Sequence, residues 1–240
     1  MSTLNRLVLW NIDHTLVDVG RVTREAYAEA FQRTIGRPLV RLAPTPGRTE
    51  SEIIFETLAF NDVVTTDDSL HGFMDALTES FAARRGDLRT HGRVLAGAPE
   101  ALASLARVPG TLQSVLTGSI EPNAVLKVIE LGLAEHLDLE VGGFENGVYS
   151  KAALLERARS RAAEKYVPKR LGEVIAEPPT VLVADAANDV RAAHIAGVPI
   201  IAVASGSSTE AELRSAGAEV VLATLADTHA VVRAVTELTA

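Results

Sequence analysis

The 240-residue sequence contains no cysteine, which excludes a disulfide-stapled miniprotein and any zinc site built on thiolates. It has no basic block either. With 23 Lys and Arg against 31 Asp and Glu, and a formal net charge of −8, the chain is not expected to hold nucleic acid by neutralising phosphates along its surface. A small anionic ligand still fits, because one pocket can be locally positive. Long apolar runs are missing too: Val198 to Ala204, one of the longest, falls well short of the roughly 20 residues that span a bilayer, so no membrane partner is expected. Met1 to Arg6 carries a single basic residue and passes straight into a strand-like run, unlike a secretion signal, so a cytoplasmic protein is expected. No fixed-period repeat or low-complexity tract occurs. The six histidines are scattered singly, without a metal-binding pair at helical spacing.

What is present is an alternation. Short apolar, β-branched runs are separated by longer segments with apolar residues three and four apart, the rhythm of strands alternating with helices. Strands are expected at Leu7 to Trp10, Leu112 to Leu116, Leu137 to Val141, Thr180 to Ala184, Pro199 to Val203 and Val220 to Leu222. That pattern predicts an α/β fold, a mostly parallel sheet covered by helices on both faces. About a hundred residues separate the first two strands, too many for one crossover. An inserted helical unit over 17–89 is therefore expected, with the α/β core in 1–16 and 90–240. Its stripes are Val22, Ala26, Ala30 and Phe31, then Ile53, Ile54 and Leu58, then Phe73, Leu77 and Phe81. Pro99 suits the first turn of the helix that re-enters the core. Residues 162–179, rich in Lys, Arg and Pro, read as a surface excursion.

In an open parallel sheet, ligands meet the carboxyl ends of the strands. Four such places carry suggestive residues: Asn11-Ile12-Asp13-His14-Thr15 after the first strand, Thr117-Gly118-Ser119 after the second, a loop leading to Lys151 after the third, and Asp185-Ala186-Ala187-Asn188-Asp189 after the fourth. Carboxylates with carbonyls suit Mg²⁺, while an ammonium, a hydroxyl and backbone N–H groups suit phosphate oxygens.

These four motifs, in order and suitably spaced from Leu7 through Val203, resemble the haloacid dehalogenase superfamily, in its branch of capped phosphatases similar to phosphoglycolate phosphatase. The resemblance implies a Rossmann-like three-layer core with a helical cap of the C1 type inserted after the first strand. It implies Mg²⁺-dependent hydrolysis of small phosphomonoesters through an aspartyl-phosphate, by a monomer or homodimer. By the same resemblance Asn11 stands at the nucleophile position, Asp13 is the general acid and base, and Thr117, Gly118 and Lys151 take the phosphate. Lys165 is the runner-up for the lysine. Asn11, Asp13, Asp185 and Asp189 form the metal site, and His14 and Arg48 are further substrate contacts.

The departures matter as much as the matches. The family's nucleophile is an aspartate. Attack through the neutral amide of Asn11 would leave a cationic imidate, so the first step should lose many orders of magnitude in rate. Asn11 can still offer one oxygen to Mg²⁺, but with one negative charge fewer the metal is held less tightly. Ala184 and Ala186 replace the usual Gly and Thr or Ser, which favours natural divergence over a single trapping substitution, and His14 sits where Gly is frequent. Two readings follow: a phosphatase crippled at residue 11, or a catalytically silent protein that binds a phosphorylated metabolite and regulates. An oxidoreductase on a similar sheet is set aside, because no Gly-x-Gly-x-x-Gly follows the first strand. Several residues carry structural alternatives. Thr49 with Glu52 can form a capping box on the helix through Ile53 and Ile54, Ser119 can cap the next helix, and Asp13 can be a turn residue.

Overall fold

Strand β1 (Arg6–Trp10) alternates its side chains between two apolar layers: Leu7 and Leu9 enter one, Val8 and Trp10 the other. Both faces of the strand are therefore buried, the signature of a central parallel strand. The computed structural model describes residues 4–145, 147, 150–168, 176–206 and 208–240. After β1 come the two-residue strand β2 (Val17–Asp18) and four helices, α1 (Gly20–Ile35), α2 (Glu50–Phe60), α3 (Asp67–Ala83) and α4 (Arg85–His91). The short strand β3 (Arg93–Val94) returns antiparallel to β2 and closes the stem of this insert. The core then continues through α5 (Ala98–Ala106), β4 (Thr111–Ile120), α6 (Glu121–Glu130), β5 (Gly143–Glu145), α7 (Lys151–Tyr166), β6 (Thr180–Ala184), α8 (Ala187–Ile195), β7 (Ile200–Val203), α9 (Glu210–Ser215), β8 (Val220–Leu222) and α10 (Thr228–Leu238).

The six core strands run parallel in the order β5-β4-β1-β6-β7-β8. The chain builds outward from β1 to β4 and β5, then returns to the other side of β1 for β6, β7 and β8. This reversal opens a crevice at the carboxyl end of β1, where ligands of such sheets bind. Trp10 Nε1 donates to Gln113 Oε1 (3.2 Å) and Gln113 Nε2 donates to the Leu102 carbonyl (2.9 Å), so the buried indole is satisfied and ties β1 to β4 and α5. The apolar layer containing Val8 and Trp10 is continuous with the interior of the insert, where Phe31, Phe73 and Phe81 pack. Among the described residues no helix is long and apolar enough to cross a membrane.

The helical stripes expected in the insert are the buried faces of α1, α2 and α3, and Pro99 lies in the first turn of α5. Three expectations need correction. Leu137 to Val141 is not a strand; it holds a 3-10 turn at Leu139–Val141, with the Asp138 side chain accepting from Glu140 N, and the strand comes later as β5. Thr117 to Ser119 lies within β4 rather than beyond it, because β4 runs on to pair Ile120 with Glu145 past an irregularity in register. Residues 162–166 continue helix α7, while 169–175 of the expected surface excursion lie outside the described residues.

Candidate active site

Asn11 follows β1 directly, and its backbone N–H donates to the Val183 carbonyl of β6 (2.8 Å), which fixes it at the crevice. Its side chain meets three groups. Nδ2 donates to the Asp13 carbonyl (2.9 Å) and to Asp185 Oδ1 (3.0 Å), while Oδ1 accepts from Lys151 Nζ (3.3 Å). Carbonyl and carboxylate can only accept and the ammonium can only donate, so the partners themselves dictate which end of the amide faces which. Asp185, one residue past β6, is buried, and its Oδ1 also accepts from Thr15 Oγ1 (2.9 Å). Burial pushes the Asp185 carboxyl up to about 6; the charge of Asp189 adds to this, and the Thr15 hydrogen bond opposes it.

Lys151 opens α7, whose N-cap Ser150 accepts from Ala153 N. The lysine is buried and forms an ion pair with the equally buried Asp189 in the first turn of α8. A carboxylate there is also favoured by the helix dipole. Lys165, by contrast, is on the surface, paired with Asp138 and Glu140. Asp13 forms no helix cap: its Oδ2 accepts from Lys127 Nζ (2.8 Å) and lies 3.4 Å from Ser119 Oγ. Lys127 is only 2% exposed. It also donates to Ser119 Oγ (3.0 Å) and stands 5.1 Å from the Phe81 ring centre of the insert. Ser119 does not cap α6, whose N-cap is Ile120 without a side-chain bond.

These groups line one chamber of about 410 Å³ between core and insert, including Asn11, Asp13, His14, Thr117, Gly118, Lys127 and Lys151. From the insert, Arg24, Tyr27, Arg48 and Glu50 line it as well. Gly118 is dictated by close approach: a Cβ there would lie 2.1 Å from the Arg48 carbonyl oxygen and 2.7 Å from Thr49 Cα. Across the site, a Cβ on Gly206 would lie 2.0 Å from Asp185 Oδ2. The insert loop is thus seated on the core. Thr49 and Glu52 form the capping box of α2. Arg48 does not offer a free guanidinium to the chamber: it pairs with Glu56 and donates to the Pro44 and Glu52 carbonyls (3.2 Å each). His14 sits in the left-handed region at φ 65°, a conformation glycine adopts without cost. Its carbonyl accepts from Ser205 Oγ (2.7 Å).

Sequence reasoning missed Lys127, Tyr27 and the pair Glu50 and Glu145. Lys127 falls on the buried face of α6 with Asn123, Ala124 and Val128; a lysine at an apolar-face position was the available signal. Glu50 Oε2 accepts from Ile120 N (2.7 Å) and lies 3.5 Å from Asn123 Nδ2, and Ser51 Oγ donates to Glu145 Oε1 (3.1 Å). Burial pushes both glutamates up to about 7, against the opposing charge of Lys127 for Glu50 and the Ser51 hydrogen bond for Glu145. The Tyr27 hydroxyl is buried without a hydrogen-bond partner.

A family model for haloacid dehalogenase-like hydrolases matches residues 8–194. The chain belongs to that family. In sequence, no curated protein matches it. Among solved structures, a hydrolase from Pseudomonas syringae is 17% identical with a TM-score of 0.68, covering 98% of this chain and 99% of its own. CbbY from Rhodobacter sphaeroides, solved in complex with phosphate, is 22% identical with a TM-score of 0.65, covering 95% of this chain and 96% of its own. A predicted phosphoglycolate phosphatase from Haemophilus somnus is 14% identical with a TM-score of 0.62, covering 96% and 99%. At these identities the likeness is one of fold.

The haloacid dehalogenase-like phosphatases generally use Mg²⁺, and the residues of this chain do not fit that ion as they stand. The Asp13 carboxylate is held by Lys127 and that of Asp189 by Lys151. The single acceptor of Asn11 faces Lys151, and its N–H₂ occupies both the Asp13 carbonyl and Asp185 Oδ1. An amide nitrogen offers no lone pair to a hard cation. No group of three or more acidic or histidine side chains able to hold a metal occurs among the described residues.

Proposed function

We propose that this haloacid dehalogenase-like chain binds a small phosphorylated metabolite in the chamber beneath its insert and is blocked at the nucleophilic step. The observation that carries this reading is the tethered carboxamide of Asn11, bound at both ends where the family's resemblance calls for a charged, attacking carboxylate. Phosphate oxygens would be received by Lys151 Nζ, the Thr117 hydroxyl and the backbone N–H groups at Gly118, all of which line the chamber. Asp13, with Lys127 beside it, is the group placed to exchange a proton with the ester oxygen. The insert, residues 17–89, acts as the cap that excludes water and selects the metabolite.

A second reading, that of a Mg²⁺-dependent phosphatase with crippled turnover, is favoured by the persistence of Asp13 in the chamber in contact with Lys127 and Ser119. One assay separates the two. Phosphate release from a panel of phosphomonoesters, with Mg²⁺ present, is expected to stay at background for the native chain and to rise at least about a thousandfold for Asn11→Asp. Turnover by the native chain comparable to that of the variant would reject the binding-protein reading. Silence from both forms would mean that more than residue 11 has been lost.

A further inference from the structure

We propose that the carboxamide of Asn11 takes the place of a divalent ion in this chain, so that the anion site works without one. The inference rests on reading the chamber as a phosphate site. A carboxylate at residue 11 would have two acceptor oxygens, one for Lys151 and one for a cation. A carboxamide has one acceptor, and here it faces Lys151 at 3.3 Å. Its donor end reaches the Asp13 carbonyl at 2.9 Å and Asp185 Oδ1 at 3.0 Å. Those oxygens come from different strand ends and carry like partial charge. Something positive must lie between them, and the two amide hydrogens supply one contact to each.

Turning the amide over to free its oxygen for a cation would set N–H₂ against the Lys151 ammonium and break all three contacts. Lys127 pairs with Asp13 and Lys151 with Asp189, while Asp185 Oδ1 receives the Thr15 hydroxyl at 2.9 Å beside the amide. The Asp185 oxygen that faces residue 11 thus already takes two protein donors.

The test uses the full native chain, with Mn²⁺ alone and inorganic phosphate as probes. Electron paramagnetic resonance is expected to show no Mn²⁺ bound to the native chain up to about 1 mM, where a carboxylate-built site would be well occupied. Phosphate binding, followed by ³¹P NMR line broadening, is expected to agree within about twofold in EDTA and in Mg²⁺. Asn11→Asp is expected to bind Mn²⁺ and to gain at least about tenfold in phosphate affinity on adding Mg²⁺. Mn²⁺ binding by the native chain, or phosphate binding only when Mg²⁺ is present, overturns the inference and leaves the binding reading standing. No phosphate binding in either condition removes both. An Asn11→Asp chain that folds yet takes no Mn²⁺ also overturns the inference. The native measurements decide the matter even if that variant fails to fold.

Discussion

Lys127 is a buried cation whose partner, the Asp13 carboxylate, is still 31% exposed. Breaking a fully buried pair costs about 3–5 kcal/mol, but a partly exposed survivor can rehydrate, so Lys127→Met is expected to lose about 2 kcal/mol in urea unfolding. The same variant should weaken phosphate binding by loosening Asp13 and Ser119. Tyr27 points the other way. Its hydroxyl is buried with no partner, so Tyr27→Phe is expected to raise stability by about 1 kcal/mol. If that hydroxyl serves the bound metabolite, the variant will bind it less well while being the more stable protein. Asn11, Asp13, Thr117, Lys151 and Asp185 were legible in the sequence because each belongs to a short motif near a strand-like run, and the structure gathers them in one crevice. Lys127 and Tyr27 were not, because each is an ordinary mid-helix position whose meaning comes only from what packs opposite. Arg48, expected to meet substrate, is bound within its own loop; the competing acceptors Glu56 and the Glu52 carbonyl lie on the following helix.

At the level of elements, α2 of the insert is fastened to β4 through Glu50 and to β5 through Ser51 and Glu145. Both glutamates are raised from 4.5 to about 7. Below about pH 4.5 each is protonated in folded and unfolded chains alike, and the seam has its full strength. Between 4.5 and 7 the folded chain holds the extra protons, so stability falls as pH rises through that window and stays lower above it. Glu50→Gln keeps the acceptor for Ile120 N without the buried charge. It is expected to flatten the fall in Tm between pH 5 and about 8 and to be the more stable form at pH 8. A steeper fall in the variant would contradict this. The helices of the insert were readable because each buries a 3.6-residue stripe. β5 was misplaced because Leu137 and Val141 supply apolar residues without a strand: Asp138 caps a 3-10 turn at Leu139–Val141, and pairing with β4 begins only at Gly143. β2 and β3, two residues each, are too short to leave a period.

Over the whole molecule, the parallel sheet brings residues more than 170 positions apart, Asn11 and Asp185, into one hydrogen bond, and the seated insert turns that crevice into a chamber. The fold class was legible because strand and helix periods alternate along the chain; the helix-borne part of the chamber's lining, Arg24, Tyr27 and Lys127, was not, since it depends on how insert and core pack. On the proposed reading, a protein built this way keeps the phosphate-binding half of its family's chemistry and lacks the attacking charge. Intact-mass spectrometry after incubation with acetyl phosphate and Mg²⁺, a small phosphoryl donor with the family's usual ion, tests this most directly. The native chain is expected to keep its mass, while Asn11→Asp gains a single acid-stable, hydroxylamine-labile phosphoryl group. A native chain carrying such a group would contradict the account.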